Sequence, residues 1–144
     1  MKAQVVLVLV AGLLAGADEP KKGDNKKGAT ELEGTWVVVS LTQDGKKIDR
    51  AKGNTVVFQG KTMTTRSQRR GRSKATFQAD PDKKTIDITQ TDRRGQATVF
   101  HGIYQLAGDD LTICLAAPGR DRPKEFTAER GSGNVLTAYK RANP

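Results

Sequence analysis

From residue 35 to residue 140 the chain is cut into short runs rich in β-branched and aromatic residues, each closed by turn formers, and this punctuation constrains the fold more than any other feature. Thr35 to Leu41 (TWVVVSL) runs to Asp44-Gly45, and Thr55 to Gln59 (TVVFQ) to Gly60. Residues 62–67 and 74–78 flank Gly71, and Asp80-Pro81-Asp82 follows. Thr85 to Thr89 (TIDIT) is broken by Arg93-Arg94-Gly95, Thr98 to Leu106 by Gly108-Asp109, and Leu111 to Leu115 by Pro118-Gly119; Val135 to Lys140 is the last run. Side chains branched at Cβ suit a pleated, half-buried surface, and Asp-Gly is a strong hairpin signal. No helical periodicity interrupts the series. These eight segments predict an all-β domain, an antiparallel up-and-down barrel of about eight strands or a sandwich, with local hairpins as the simplest connections.

Alternation suggests which residues face inward. Ile86 and Ile88 share a face against Asp87, and Leu111, Ile113 and Leu115 share one against Thr112 and Cys114. The first run is apolar on both faces. Either Trp36 and Val38 or Val37, Val39 and Leu41 point inward, as at a barrel end covered on both sides.

The amino-terminal segment reads as an export signal. Lys2 precedes an uncharged apolar run from Val5 to Leu14, then Ala15-Gly16-Ala17 and an acidic start at Asp18-Glu19. A basic start, a short apolar stretch and small residues at a cleavage site predict a signal peptide over residues 1–17, cut between Ala17 and Asp18. The run is shorter than the roughly 20 residues of a membrane-spanning helix. Leu14-Ala15-Gly16 is the kind of run that precedes a lipidated cysteine, but Ala17 stands there, so the mature chain is expected to carry no lipid anchor and no membrane span. Residues 18–30 (DEPKKGDNKKGAT) contain no large apolar side chain and are expected to form a flexible linker. The barrel domain is then 31–141 and the tail 142–144. The expected setting is periplasmic or extracellular, and the expected state a monomer.

The chemistry-bearing residues are few. A single cysteine, Cys114, allows no internal disulfide, and one histidine, His101, allows no His/Cys zinc cluster. No phosphate-binding glycine loop and no nucleophile elbow occur. Asp80-Pro81-Asp82 lacks the glycine and glutamate of an EF-hand loop, and the remaining loop aspartates are explained by turns. The expectation is a protein without enzymatic activity, metal or cofactor. Tyr104, His101 and Tyr139 are the polar candidates for the wall of an interior ligand cavity.

The formal charge of +9 points toward anionic partners. Its densest part is residues 66–74, where Arg66, Arg69, Arg70, Arg72 and Lys74 place five cations in nine residues. With Gly71 as a turn, this becomes a hairpin tip able to pair with carboxylate, sulfate or phosphate. A solvated hairpin is the simpler reading of the same run, with polyanion binding second to it. No aromatic residue lies between Phe58 and Phe77 to stack on bases, so neither DNA nor RNA is expected. The favoured function is non-catalytic binding of a small apolar ligand in the interior or of a partner at the barrel mouth. The alternative is a surface module that holds an anionic cell-envelope polymer through the basic hairpin.

Gly34-Thr35-Trp36 at the start of the first run resembles the G-x-W signature of lipocalin-type barrels. The resemblance implies that Trp36 plugs the barrel end beneath a basic residue, Lys140 or Arg141. A fuller set of motifs comprises Leu32 to Trp36, Asp44-Gly45-Lys46, Gly102 to Leu106, Gly108 to Leu111, Ile113-Cys114, Pro118-Gly119, Arg122 to Phe126 and Gly131-Ser132-Gly133. In this order they resemble a lipocalin-like family of small exported domains common in planctomycete bacteria. The likeness covers residues 31 to 141 and implies the fold and the exported setting, with no ligand or activity to transfer. Residues 122–126 (RPKEF) suggest a stiff loop entering a strand, with Phe126 anchored in the core and Arg122 paired with Glu125 or an acidic turn.

Overall fold

Strict alternation along residues 85–89 and 111–115 becomes, in the computed structural model, two staves of a closed barrel. The structure describes residues 30–142. The export signal over 1–17, its cleavage site at Ala17 and Asp18, most of the linker and the last two residues lie outside them. The strands are β1 (Gly34–Gln43), β2 (Lys46–Lys47), β3 (Thr55–Gln59), β4 (Thr62–Ser67), β5 (Gly71–Asp80), β6 (Thr85–Thr91), β7 (Ala97–Ala107), β8 (Asp110–Leu115) and β9 (Val135–Arg141). Each of the eight long strands pairs antiparallel with its neighbours in chain order, and β9 returns to β1 to close the cylinder. The ninth strand, β2, is a two-residue return of the chain onto the end of β1 through the Asp44-Gly45 turn.

An up-and-down barrel sorts its connections to two ends. One end carries only tight turns at 60–61, 81–84 and 108–109; the other carries 44–54, 68–70, 92–96 and the long loop 116–134. The tight end is packed solid. Trp36, Val56, Phe58, Phe77, Ile86, Tyr104, Leu111 and Ile113 are buried there and in the waist. Phe58 and Phe77 meet edge to face with centroids 4.9 Å apart. A single helical turn before β1 sets Leu32, which has no exposed surface, underneath them.

Both readings of the first run hold, each over part of it. Val38 pairs with Tyr139 and Ser40 with Ala138, so Val39 is an extra, bulged residue. Trp36 and Val38 face inward before the bulge, and Leu41 packs against the core after it, while Val39 is 43% exposed. A bulge shifts the side-chain phase by one residue, so a strand apolar on both faces can serve one interior throughout.

Gly102 is fixed by crowding. A Cβ at this position would lie 2.5 Å from Leu115 Cδ2 and 2.6 Å from the Cys114 carbonyl oxygen. Strand β8 therefore approaches β7 more closely here than any side chain allows.

Loop 116–134 does not enter a strand at Phe126, as the RPKEF motif had suggested. It runs along the outer wall and covers Cys114, which faces away from the interior because it alternates with Ile113. Pro123 and Ala128 are the buried residues of this strap, and the Cys114 thiol donates to the Thr127 carbonyl at 3.4 Å. Phe126 is only half-buried and lies beside Lys83 and Lys84 on a shallow outer groove, because a loop outside the wall cannot reach the core.

Candidate functional site

At the closed end, the G-x-W residues form one constellation with the end of β9. Gly34 has φ +123°, and the guanidinium of Arg141 comes to 3.0 Å of where its Cβ would stand, so only glycine fits. Arg141 lies over the Trp36 ring at 4.2 Å from the centroid, donates to the Glu33 carbonyl at 3.0 Å and pairs with Asp109 at 3.5 Å. The indole N–H of Trp36 donates to the Leu32 carbonyl at 2.8 Å. Of the two basic candidates, Arg141 caps the tryptophan and Lys140 is exposed.

Tyr104 and Tyr139 also belong to this filled half. Tyr104 is 1% exposed; its hydroxyl donates to Glu31 at 3.4 Å, and Lys84 sits 5.5 Å from its ring centroid. Burial, followed by the Glu31 carboxylate, holds its hydroxyl far above the ordinary tyrosine range. Burial pushes Tyr139 up to about 12. Burial likewise raises the Cys114 thiol, which keeps it protonated at neutral pH and unlike an activated nucleophile.

His101 faces outward, contrary to its expected place on an interior wall. The register decides this. Ile86 and Ile88 face the core, so their partners Gly102 and Phe100 do too, and the pair Asp87–His101 falls on the other face. There His101 Nδ1 meets Asp87 Oδ1 at 2.8 Å, and Arg122 of the strap reaches the same oxygen at 2.8 Å. Arg122 also donates to the carbonyls of Gly102 and Ile86, at 2.7 and 3.3 Å. Its partner is therefore Asp87, and not Glu125 or a turn. The cluster fastens the strap to the wall.

The open half has a different lining. Past the waist the inward positions of β4 and β5 are Thr65 opposite Ser73 and Ser67 opposite Gly71, small and polar where the closed half has rings. They border a cavity of about 600 Å³ that reaches Leu41 on one side and Gln90 on the other. A 3₁₀ turn (Asp49–Ala51) leans over it, with Ala51 buried against the core. Asn54, at the end of that loop, contributes a side-chain oxygen with no exposed surface and no hydrogen-bond partner, the one such side-chain atom among the described residues.

Among the described residues that line this mouth are Arg50, Arg69, Arg70 and Lys74, the last from a strand position on the same face as Arg72, and no carboxylate. Among the described residues none of the four has an acidic partner within salt-bridge distance. The Ser67 hydroxyl accepts from the backbone N–H groups of Arg69 and Arg70, both at 3.4 Å, which stiffens the turn that presents them. The remaining two basic candidates, Arg66 and Arg72, are cross-strand partners on the outer face of the same hairpin. The basic run thus divides between the rim and the outer wall.

Sequence reasoning marked the Arg hairpin but missed Asn54, Thr65, Ser73 and Arg50. Polar residues at inward positions near the end of a predicted strand were the available signal. Among the described residues no three His, Cys, Asp or Glu side chains gather as a metal site, and no helix is long and apolar enough to cross a membrane. No family model, curated protein or solved structure matches the chain.

Proposed function

We propose that this chain is an exported, non-catalytic binding domain that takes a small polar ligand in the open mouth of its barrel. The observation that carries the reading is the cavity of about 600 Å³ in the open half, within the usual range of roughly 300–1,000 Å³ for small-molecule sites. Among the described residues the closed half is packed with the chain's own side chains, so the open half is where a ligand finds room. An apolar ligand fits the lining poorly, because it would strip water from Thr65, Ser67, Ser73 and Gln90 without replacing the hydrogen bonds. Catalysis finds little support in the mouth. The hydroxyls there have no histidine or carboxylate beside them, since His101 is tied to Asp87 on the outer wall.

Backbone amide shifts recorded while a panel of small polar metabolites is added test this. Shifts are expected at Thr65, Ser73 and Gln90. Shifts confined to the groove beside Phe126, or to the outer wall, refute it. Amino-terminal sequencing of protein recovered from its native cells is expected to start at Asp18, as export requires.

One observation favours a second reading. Arg66 stands directly opposite Arg72 on the outer face, a like-charge pair that costs stability unless an anion bridges it. An acidic envelope polymer lying along that face would do so. Charge reversal at Arg66 and Arg72 then abolishes salt-dependent retention on an acidic polysaccharide column and leaves the mouth untouched.

A further inference from the structure

We infer that the ligand of the mouth is a small polyol bearing an anionic group, a sugar acid or a sugar phosphate, whose charge is held by Arg69, Arg70 and Arg50 and one of whose hydroxyls donates to Asn54. This rests on the mouth being the binding site and adds the class of molecule it selects.

Charge complementarity is the first argument. Arg50, Arg69, Arg70 and Lys74 belong to the lining of a concave space that has no carboxylate among its described residues. Like charges gathered around one space without counter-charge repel one another, and an anion relieves the repulsion. Guanidinium groups match carboxylate and phosphate bidentately, and a concave site screens such pairs less than an open surface does. The turn that presents Arg69 and Arg70 is supported by the Ser67 hydroxyl, so less backbone freedom is lost on binding.

Asn54 is the second argument and is independent of charge. A buried carbonyl-type oxygen without a partner costs about 1–3 kcal/mol. Asn54 belongs to the lining of the cavity while its oxygen is shut off beneath it, so a turn of the side chain is what brings that oxygen to a ligand. It accepts and cannot donate, so its complement is an O–H or N–H on the ligand. A bare carboxylate or phosphate offers none. A polyol does, and its other hydroxyls meet Thr65, Ser73 and Gln90, which both donate and accept. No aromatic ring lines the mouth for a neutral sugar to stack on, so the anionic group is what holds the molecule there.

The chemistry has two sources, a free small molecule or the terminal residue of an acidic polysaccharide. Both expose the same groups to the mouth.

Titration calorimetry on protein expressed from the full sequence decides the matter, with glucuronate, glycerol phosphate, inorganic phosphate, neutral glucose and laurate as probes. Glucuronate or glycerol phosphate is expected to bind at least about tenfold more tightly than glucose, a gap of roughly 1.4 kcal/mol. The double variant Arg69→Glu, Arg70→Glu is expected to lose at least about tenfold in affinity for that probe, and Arg66→Glu, Arg72→Glu on the outer face less than about twofold. Should the charge-reversed hairpin fail to fold, by far-ultraviolet circular dichroism, Arg69→Gln, Arg70→Gln replaces it with the same expectation. Asn54→Leu is expected to weaken the hydroxylated anions several-fold and leave inorganic phosphate unchanged. An oligoglucuronate that binds no more tightly than the monomer identifies the free molecule; one that binds far more tightly identifies the polymer end.

Equal binding of glucose and glucuronate overturns the inference, as does binding indifferent to Arg69 and Arg70 or the absence of binding by either anionic polyol. If laurate binds instead and shifts Thr65 and Ser73, the ligand class falls and the mouth stands. If the anions bind but shift only residues of the outer wall, both fall.

Discussion

The two halves of this barrel share their strands but divide the work of the molecule between them. In the closed half, Trp36, Phe58, Phe77 and Tyr104 fill the cylinder, and every polar group among them has a partner: the indole with Leu32, the phenol with Glu31. In the open half the inward positions are Thr65, Ser67 and Ser73, the cations are unpaired, and one amide oxygen has no partner at all. The closed half is consistent at every level, as a region selected for stability should be. The open half breaks local rules without compensation inside the molecule, which is the usual mark of a surface shaped for something outside it.

The sharpest way to break this contrast is at the plug. Trp36→Ala is expected to cost about 3–5 kcal/mol in urea unfolding, because it empties the closed end and strands Arg141. A loss below about 1 kcal/mol would mean that the closed end does not carry the fold. Gly102→Ala comes next, at about 1–3 kcal/mol, since the Cys114 carbonyl it would strike is backbone held in β8.

Alkaline titration reads the same half through its phenols. The pKa of Tyr139 is raised in the folded barrel from the ordinary 10.0 to about 12, and Tyr104 is raised further still. Well below pH 10 both states hold these protons and the phenols leave stability unchanged; the buried Cys114 thiol, raised from 9.0, adds a loss of the same sign that begins earlier. Above pH 10 the unfolded chain releases the phenol protons first, so stability falls as pH rises through the window from 10 to about 12. Urea midpoints measured between neutrality and that window check the sign, and Tyr139→Phe should flatten the slope.

The smallest effects belong to the mouth. Thr65→Ala, Ser73→Ala and Arg69→Ala are each expected to move stability by no more than about 0.5 kcal/mol. A loss near 2 kcal/mol at any of them would show that the open half is structural after all.

The legibility of the sequence follows the same division. Alternation in β6 and β8 marked the interior faces because each strand is apolar on one side only. The role of Trp36 and a basic partner followed from its setting after Gly34. His101 was misplaced because β7 carries large apolar residues on both faces, Val99 and Ile103 outside, Phe100 and Leu106 inside. Only its register with Asp87 sets the phase, and register is a long-range property. Phe126 misled for a related reason: hydrophobicity does not say on which side of a wall a loop will run. The mouth was half legible, through its arginines. Asn54, next to the start of β3, offered only its polarity as a sign, since its importance lies in the partner it lacks.

Arg122 has a consequence for traffic into the barrel. The longest loop among the described residues is fastened by that guanidinium, by the Cys114 thiol at Thr127 and by the Asp44-Gly45 turn at Ala128 and Gly131, and it supplies none of the residues that line the cavity. It cannot swing across as a door. An anion therefore arrives at a pace governed by diffusion and by the pull of the rim charges, so association should quicken in dilute buffer and slow as electrolyte is added.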